Sequence, residues 1–218
     1  MIPVIIIPVM NTYDLLDRCI HSIDTEVGEI CVIDNGDYLP ENAFEWHHNP
    51  VRVLRMPHNM GISTSWNMGI KMYPFASSWT IIGADVWFDP GNLDEWYENA
   101  SEDVILTGAT PPWACFSIGR NVVRDVGLFC EQYHPAYFED TDYQRRALKR
   151  GIEIRHPGTP INHDNSSLLK DETISNKNAV TYGKNHETYI RRWSGLVGDE
   201  TPQHDDWSLS IRCDRSWD

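Results

Sequence analysis

The densest group of chemically active side chains in this sequence is the acidic run Glu139–Asp142, which follows Tyr137 and Phe138. Its three carboxylates lie within four positions and open a segment with helical character. Like charges this close repel one another on a helix face, so a metal ion, a bound substrate or the arginines that follow are expected to offset them. An acidic first turn that complements the helix dipole is the alternative explanation. Asp142 itself is expected to form a helix ion pair with Arg145 or Arg146.

Two side chains elsewhere in the chain favour a chemical role for this run. Asp85 ends an apolar strand upstream, and His163 ends a short strand downstream. Carboxylate oxygens and imidazole nitrogens bind divalent cations, and a nearby carboxylate can accept a proton as a general base. The three groups together indicate a catalytic carboxylate beside a metal–diphosphate site. Taken singly, Asp85 could be a capping residue and His163 a hydrogen-bonded surface residue.

The elements that must position these groups alternate between apolar strands and helical segments. Such alternation predicts an α/β fold with a mainly parallel central sheet, helices on both faces and a ligand site at the carboxyl ends of the strands. The predicted strands are Ile2–Pro8, Glu29–Asp34, Val51–Met56, Trp79–Ala84, Val104–Leu106 and Ile152–Arg155. The predicted helices are Tyr13–Ile23, Ser63–Tyr73, Leu93–Asn99, Arg120–Val126, Glu139–Arg150 and Asn178–Trp193.

Polar residues follow each of the first four predicted strands. They are Asn11 with Thr12, the tripeptide Asp34-Asn35-Gly36, the segment Asn59–Gly61, and Asp85. Asn-Gly pairs also favour tight turns, so each group alone is compatible with a turn or a helix cap. Because four successive strand ends converge on one edge of a parallel sheet, we expect these groups to line one site.

Composition limits the class of protein. The chain has 218 residues, enough for one domain with a substantial core, and a formal net charge of −14. Such an acidic surface argues against broad electrostatic binding to nucleic acid. Five cysteines without a CxxC pair are typical of reduced thiols. No apolar run reaches the length of a membrane span, so a soluble, cytoplasmic protein is expected.

The order of these motifs resembles the family two glycosyltransferases with the GT-A fold, over about residues 2–168. Within that family the chain is similar to the rhamnosyltransferase-like branch, and the segment Tyr189–Gly195 resembles some phage-encoded members, whose location would be the cytoplasm of a bacterial host. The segments that carry the resemblance are Ile7–Asn11, Val32–Gly36, the N-x-G…N-x-G pattern of Asn59–Ile70, Gly83–Asp85 at the DxD position, Tyr137–Arg146 at the ED helix, and Pro160–His163.

The resemblance implies a role for each matching residue. Asp85 and His163 would bind Mn²⁺ or Mg²⁺, although the first aspartate of the usual DxD motif is Gly83 here. Asp140 would be the general base, and Glu139 would orient the acceptor or Asp140. Arg191, with its neighbour Arg192, is expected to close over the diphosphate from a mobile tail, because guanidinium groups match phosphate geometry. The residues expected to bind the nucleotide sugar are Pro8, Asn11, Asp34, Asn59, Gly61, Asn67, Ala84, Trp113 and Arg191.

The resulting expectation is an inverting, metal-dependent transfer of a hexosyl or deoxyhexosyl group from a nucleoside-diphosphate sugar to an acceptor hydroxyl. The acceptor would be a glycan, a protein or a modified base, and the oligomeric state is left open. Residues 1–168 are expected to form the catalytic core, and residues 169–218 a helical extension and tail packed on it.

Three alternatives stay open at this point. A sugar nucleotidyltransferase would need a Gly-rich basic loop after the first strand, and Pro8–Asn11 supplies neither glycine nor lysine. A non-catalytic nucleotide- or glycan-binding module of the same fold is favoured by the missing first aspartate. A phage enzyme that glycosylates modified DNA bases would need a local basic patch, for instance around Lys149.

Overall fold

The computed structural model of this chain describes residues 1–108, 111–164 and 172–198. In chain order its strands are β1 (Ile5–Val9), β2 (Ile30–Asp34), β3 (Val51–Arg55), β4 (Ser78–Ile82), β5 (Val86–Trp87), β6 (Val104–Thr107), β7 (Cys115–Gly119), β8 (Glu153–Arg155) and β9 (Asn162–His163). Seven of them form one sheet in the order β3-β2-β1-β4-β7-β6-β8. Strands β3, β2, β1 and β4 are parallel to one another, and β6 is parallel to β8. Strand β7 lies between these two groups and runs antiparallel to both β4 and β6.

Helices cover both faces of this sheet. They are α1 (Tyr13–His21), α2 (Ile62–Met72), α3 (Asn92–Tyr97), α4 (Arg120–Val126), α5 (Glu139–Lys149) and α6 (Glu172–Trp193). Successive residues of β1 point to opposite faces, and both sets are buried. Ile5 and Ile7 pack in the cluster that includes α1 and α3, whereas Ile6 packs in the cluster that includes α2, α4 and α5. The predicted α/β fold with a mainly parallel, helix-covered sheet is therefore confirmed.

Strand β7 was not predicted. It occupies the segment between the Pro112–Ala114 helical turn and α4, and all five of its residues are buried. A strand that is buried on both faces has no alternation of polar and apolar residues, so its sequence carries no period-two signal. Its antiparallel direction turns the outer part of the sheet back and carries the chain from the helical turn to α4.

Helix α6 packs against the segment that precedes α5. Its residues Tyr189 and Trp193 are buried together with Cys130, Tyr133 and Phe138 in a small aromatic cluster. The predicted division of the chain at residue 168 falls outside the described residues, as does the predicted tail beyond residue 198. Of the described helices, none is both long enough and apolar enough to cross a membrane.

Candidate functional site

A cleft of about 360 Å³ opens at the carboxyl ends of β1 and β4. β1 and β4 are adjacent and parallel. A crevice forms outside the carboxyl ends of two such strands when the connections that follow them lead in different directions. Pro8 and Met10 line it at the end of β1, and Asp85 lines it after β4. The predicted site residues among its lining are Pro8, Asn59, Gly61, Ala84, Asp85 and Trp113.

A two-stranded ladder brings Asp85 next to His163. Strands β5 and β9 are antiparallel with Val86 opposite His163, and the backbone N–H of Asp164 donates to the carbonyl of Asp85 at 2.9 Å. This pairing fixes the backbone of both residues, and Nε2 of His163 lies 3.3 Å from Oδ1 of Asp85. The same two residues are the metal ligands predicted from the sequence.

One carboxylate and one imidazole suit a divalent cation whose remaining ligands are water and substrate oxygens. Within the described part of the chain, no group of three or more histidine, cysteine or acidic side chains is arranged to hold a metal. Gly83 explains part of this small donor set, since a Cβ atom at that position would lie 2.8 Å from Oδ1 of Asp85. The Asp85 carboxylate therefore occupies the space beside Gly83 that a longer side chain would need. The residues present fit a metal that is shared with a substrate.

The charge of the cleft is unusual for a site that would accept a diphosphate. Asp85 is the only charged residue among the described residues that line it, and neither lysine nor arginine is among them. A diphosphate placed here would find no side-chain cation on those walls.

The segment that precedes α5 reaches the cleft, whereas the predicted site residues Glu139, Asp140 and His163 are not among the residues that line it. Tyr137 lines the cleft, and both Tyr137 and Phe138 have left-handed backbone angles, with φ of 82° and 74°. Two consecutive non-glycine residues in this region are strained, and such strain concentrates at functional sites. Glu139 and Asp140 follow directly as the first residues of α5.

Burial changes the acidity of both carboxyl groups. Desolvation and the neighbouring Asp140 charge raise the pKa of Glu139 from 4.5 to about 8. Oε2 of Glu139 is buried and has no hydrogen-bond partner among the described residues. Burial also raises the pKa of Asp140, against the lowering effect of hydrogen bonds from Thr141. Its Oδ1 accepts from the backbone N–H of Thr141 at 2.6 Å and from Oγ1 of Thr141 at 3.2 Å.

Asp142 pairs with Arg146, as one of the two predicted partners, but the pair is not an ordinary surface interaction. The Nε atom of Arg146 lies 3.0 Å from Oδ2 of Asp142, and the two side chains are 1% and 0% exposed. Oδ1 of Asp142 also accepts from Nε1 of Trp193 at 3.0 Å and lies 3.0 Å from Nε of Arg192. Asp142 thus links α5 to α6 and is directed away from solvent.

The structure places Arg191 and Arg192 in α6, and their predicted contact with a diphosphate stays a prediction. Neither residue lines the cleft. Arg192 is held against buried Asp142, while exposed Arg191 donates from Nη2 to Oγ1 of Thr188 at 3.3 Å. No local sequence pattern predicts that Asp142 is buried and forms an ion pair with an arginine of a distant helix.

Asn67 also differs from its predicted role in nucleotide binding. It is buried, its Nδ2 donates to the carbonyl of Phe129 and to Oε1 of Glu131, and its Oδ1 accepts from the N–H of Phe129. Every polar atom of its side chain is therefore occupied by the chain after α4. Asn67 fixes that segment and does not line the cleft.

Asn11 and Asp34 build a turn at the end of β1 and β2. Asn11 has φ of 58°, and its Oδ1 accepts from the N–H of Asp37. Oδ1 of Asp34 accepts from the Tyr13 hydroxyl and from the Gly36 N–H, both at 2.9 Å. Asp34 is fully buried, and its Oδ2 has no hydrogen-bond partner among the described residues. Neither Asn11 nor Asp34 belongs to the cleft lining, so their predicted contacts with a nucleotide stay predictions.

Asn35 was missed as a cleft residue. Its Oδ1 accepts from the N–H of Met60, and its Nδ2 donates to Oγ of Ser65. It therefore joins the turn after β2 to the loop before α2, and it lines the cleft. Asn35 belongs to the tripeptide Asp34-Asn35-Gly36, whose position after a predicted strand already indicated that its polar side chains could line the site.

Comparison with known proteins is consistent with this arrangement. Residues 4–165 match the family model described as Glycosyl transferase family 2. A galactofuranosyl glycosyltransferase of Leishmania donovani is 22% identical over an alignment of 252 residues, which covers 77% of this chain. That alignment covers 57% of the Leishmania protein, so this chain spans little more than half of its length.

A solved structure shares the fold. The crystal structure of GalNAc-T7 with UDP, GalNAc and Mn²⁺ matches with a TM-score of 0.62 at 13% sequence identity. The match covers 75% of this chain and 44% of the other. The predicted GT-A-type architecture is thereby confirmed at the level of fold.

Proposed function

This chain belongs to glycosyl transferase family 2, and on that premise we propose that it transfers a sugar from a nucleoside-diphosphate sugar to an acceptor hydroxyl. The transfer is a single displacement that inverts the anomeric carbon. The observation that carries the proposal is the pairing of Asp85 with His163, at 3.3 Å, beside a cleft at the carboxyl edge of the sheet whose described lining residues include neither lysine nor arginine.

Asp85 and His163 are the residues that would hold the metal. A bound Mn²⁺ or Mg²⁺ supplies Lewis-acid stabilisation of the charge that develops on the leaving diphosphate. The lack of lysine and arginine among the described lining residues supports metal dependence, because the walls supply no other positive charge. An imidazole ligand favours Mn²⁺ slightly over Mg²⁺. The solved neighbour that was crystallised with UDP and Mn²⁺ makes that pair the first ligands to test.

Asp140 is the proposed general base. As the acceptor oxygen attacks the anomeric carbon, its proton passes to the Asp140 carboxylate, and the bond between the sugar and the diphosphate breaks. Burial raises the pKa of Asp140, which brings its basicity closer to the operating pH and favours proton acceptance. Glu139 has a pKa of about 8, so it carries a proton at neutral pH and can donate a hydrogen bond to an acceptor oxygen.

A second function is favoured by one observation. Gly83 stands where the family's first metal-binding aspartate is expected, so among the described residues the proposed ligands are Asp85 and His163 alone. A nucleotide- or glycan-binding module without turnover would keep the fold and tolerate this reduced site. Such a module would bind UDP and a sugar nucleotide but would not release UDP from the sugar nucleotide.

The test is a thermal-shift and calorimetric titration of the full chain with UDP, with and without Mn²⁺, repeated with a panel of UDP and dTDP sugars. Ligand that binds the native state raises the melting temperature by mass action. We expect a Mn²⁺-dependent shift in the wild type that is lost in Asp85→Asn and in His163→Ala. Asp89→Asn is the matched control, because Asp89 is an exposed carboxylate four positions further along the chain.

The catalytic part is tested by product release. Asp140→Asn should bind UDP and Mn²⁺ like the wild type while its rate of UDP release from the donor falls by about 10²- to 10⁴-fold. A wild type that binds a sugar nucleotide of the panel but never releases UDP or dTDP from it would support the binding module. Binding of UDP that is independent of both Mn²⁺ and Asp85 would contradict the proposed site.

A further inference from the structure

One face of α6 is directed at the segment that forms the cleft wall before α5. The side chains of Tyr182, Asn185, His186 and Tyr189 follow the three- and four-residue spacing of a single helix face. Tyr182 packs edge-on against Tyr137 with ring centroids 5.7 Å apart. His186 stacks on Phe138 at 5.3 Å, and Tyr189 contacts the same ring at 5.6 Å. This face of α6 therefore covers Tyr137 and Phe138, the two consecutive residues with left-handed backbone angles.

Asn185 binds the backbone of that segment directly. Its Nδ2 donates to the carbonyl of Ala136 at 2.7 Å and to the carbonyl of Tyr137 at 3.2 Å. Asn185 is 3% exposed, so the two hydrogen bonds are shielded from water. Ala136 and Tyr137 both line the cleft. One amide group thus holds two successive peptide units of the cleft wall.

The hydrogen bonds from Asn185 stabilise a strained part of the backbone. A non-glycine residue in the left-handed region is strained and persists only when its surroundings enforce that conformation. Tyr137 and Phe138 are consecutive residues of this kind, and Asn185 holds the carbonyl of the first. Without Asn185 the segment would lose hydrogen bonds that oppose its relaxation to an ordinary backbone conformation.

The same helix also fixes the far side of the acidic run. About two helical turns after Asn185 on α6, Trp193 donates from Nε1 to Asp142 at 3.0 Å, and Asp142 lies on the other side of Glu139 and Asp140 in the sequence. Contacts from α6 therefore lie on both sides of the two carboxyl groups in the sequence. The match to the family model ends at residue 165, so α6 lies beyond the part of the chain on which family membership rests.

We propose that Asn185 is a positioning residue for the reaction, which makes α6 part of the active site. It holds the wall at Ala136 and Tyr137, and through Phe138 it sets the position of Asp140 relative to the acceptor. This inference rests on the proposed function for its kinetic part. The donor side, at Asp85 and His163, belongs to other elements and does not depend on Asn185.

The experiment compares Asn185→Ala, Asn185→Leu and the isosteric Asn185→Asp with the wild type and with Glu187→Ala, an exposed neighbour on α6. Calorimetry with UDP and Mn²⁺ gives the affinity and the fraction of competent protein for each variant. We expect Kd for UDP and binding stoichiometry to stay within about twofold, since a local defect of this kind leaves the donor ligands in place. The rate of UDP release from the donor sugar nucleotide in water should fall about 10- to 100-fold, the effect of a misplaced reacting group, with KM for the donor unchanged.

Hydrogen exchange provides a readout that does not need turnover. In all three Asn185 variants, amides of residues 134–142 should exchange at least tenfold faster than in the wild type, while those of residues 80–88 keep their rates. Glu187→Ala should alter neither kinetics nor exchange. Asn185→Asp removes both N–H donors but also buries a carboxylate against the two carbonyls, so Asn185→Leu, which is uncharged and of similar size, separates the hydrogen bonds from packing if Asn185→Ala folds poorly.

The outcomes separate the two ideas. A wild type that binds no UDP with Mn²⁺ contradicts the proposed function, and the exchange of residues 134–142 then decides whether Asn185 holds the wall. A wild type that binds and turns over, together with Asn185 variants whose kcat stays within twofold, overturns the positioning role alone. Unchanged exchange at residues 134–142 overturns it as well. A fall in kcat accompanied by an equal fall in UDP stoichiometry also overturns it, since that result reports loss of folded protein.

Discussion

The carboxylate of Asp142 and the guanidinium of Arg146 form an ion pair at 3.0 Å in which both side chains are almost completely buried. The remaining nitrogens of Arg146 donate to the carbonyls of Val126 at 2.8 Å and Leu128 at 2.9 Å. Asp142 therefore neutralises an arginine that ties α5 to the chain after α4. Since Asp142 also binds Trp193, the pair joins three parts of the protein that are far apart in sequence.

We predict that Asp142→Ala lowers the free energy of unfolding by about 3–5 kcal/mol, because it leaves the buried Arg146 charge without its partner. Asp125→Ala is the matched control. Asp125 forms an ion pair with Arg124 at the same distance of 3.0 Å, but those side chains are 47% and 57% exposed. An exposed pair contributes about 0–1 kcal/mol. Urea denaturation measures both variants, and equal losses would contradict the importance of burial.

Glu139 should make stability depend on pH. The native state holds a proton on this carboxyl up to a pKa of about 8, whereas the unfolded chain releases it at about 4.5. Between these values the native state binds more protons than the unfolded state, so the free energy of unfolding falls as pH rises through the window. The slope from this one group reaches about 1.4 kcal/mol per pH unit.

Glu139→Gln removes this slope, because the amide mimics the protonated acid and does not titrate. We expect the variant to gain stability relative to the wild type, with a difference that grows from pH 5 to pH 8 and then levels off. Urea denaturation between pH 4.5 and 8.5 measures it. Glu187→Gln, at an exposed position of α6, serves as the control. Parallel curves for Glu139→Gln and the wild type would show that Glu139 is ionised in the native state.

Gly61 is a further point of contact between the cleft and the segment before α5. Its φ is 82°, and a Cβ at this position would lie 2.6 Å from Nδ1 of His134 and 3.1 Å from the carbonyl oxygen of Pro135. Gly91 has nearly the same φ of 81°, but a Cβ there would have no atom within 4 Å. The two glycines share a positive φ but differ in ψ, which is 164° at Gly61 and −12° at Gly91. Only Gly91 is in the αL region, and the backbone conformation of Gly61 is essentially restricted to glycine.

Gly91→Ala should lose about 1–2 kcal/mol from the left-handed backbone alone. Gly61→Ala should lose more than Gly91→Ala, because its backbone conformation is essentially restricted to glycine and because the Pro135 backbone must move to admit the methyl group, which adds about 1–3 kcal/mol. Gly61 lines the cleft and is itself a predicted nucleotide-binding residue, so Gly61→Ala should also weaken Mn²⁺-dependent binding of UDP. Thermal denaturation and calorimetry provide the two measurements. If the two variants behave alike, the contact across the cleft has no energetic effect.

Much of the fold was predictable because its parallel strands are short apolar runs followed by polar groups. The segment predicted as Ile2–Pro8 is the strand Ile5–Val9, and Asp85 follows β4 as expected. Parallel strands that are buried on both faces are nearly all apolar, which makes them visible without any alternation. The groups at their carboxyl ends meet because the topology of a parallel sheet brings those ends to one edge.

Other features depend on partners that no local pattern encodes. Asn67 looked like a ligand residue, but its hydrogen bonds reach Phe129, 62 positions away. Burial of Asp142 becomes visible only when α6 supplies Trp193 and Arg192. The same helix supplies Asn185 to the cleft wall. A polar residue on an amphipathic helix carries no sequence signal for the distant carbonyl that it will bind, so long-range side-chain contacts were missed, whereas every strand of the seven-stranded sheet except β7 was predicted.

The glycine at position 83 sets the geometry of the proposed metal site. A methyl group there would lie 2.8 Å from Oδ1 of Asp85, and the flexible carboxylate would move away. That movement would separate Asp85 from His163, which now lie 3.3 Å apart. We therefore predict that Gly83→Ala weakens Mn²⁺ binding in the presence of UDP by about tenfold, the lower end of what displacement around a metal ligand produces.

Calorimetric titration of Mn²⁺ into the protein saturated with UDP measures this effect, and Gly158→Ala is the control. A Cβ at Gly158 would meet no atom within 4 Å, and its φ is not in the left-handed region, so its Mn²⁺ affinity should equal that of the wild type. Gly83→Ala should also keep its unfolding free energy within about 1 kcal/mol, because only the end of one side chain has to move. An unchanged Mn²⁺ affinity would mean that the position of the Asp85 carboxylate beside Gly83 does not determine metal binding, and the assignment of Asp85 as a ligand would then fail.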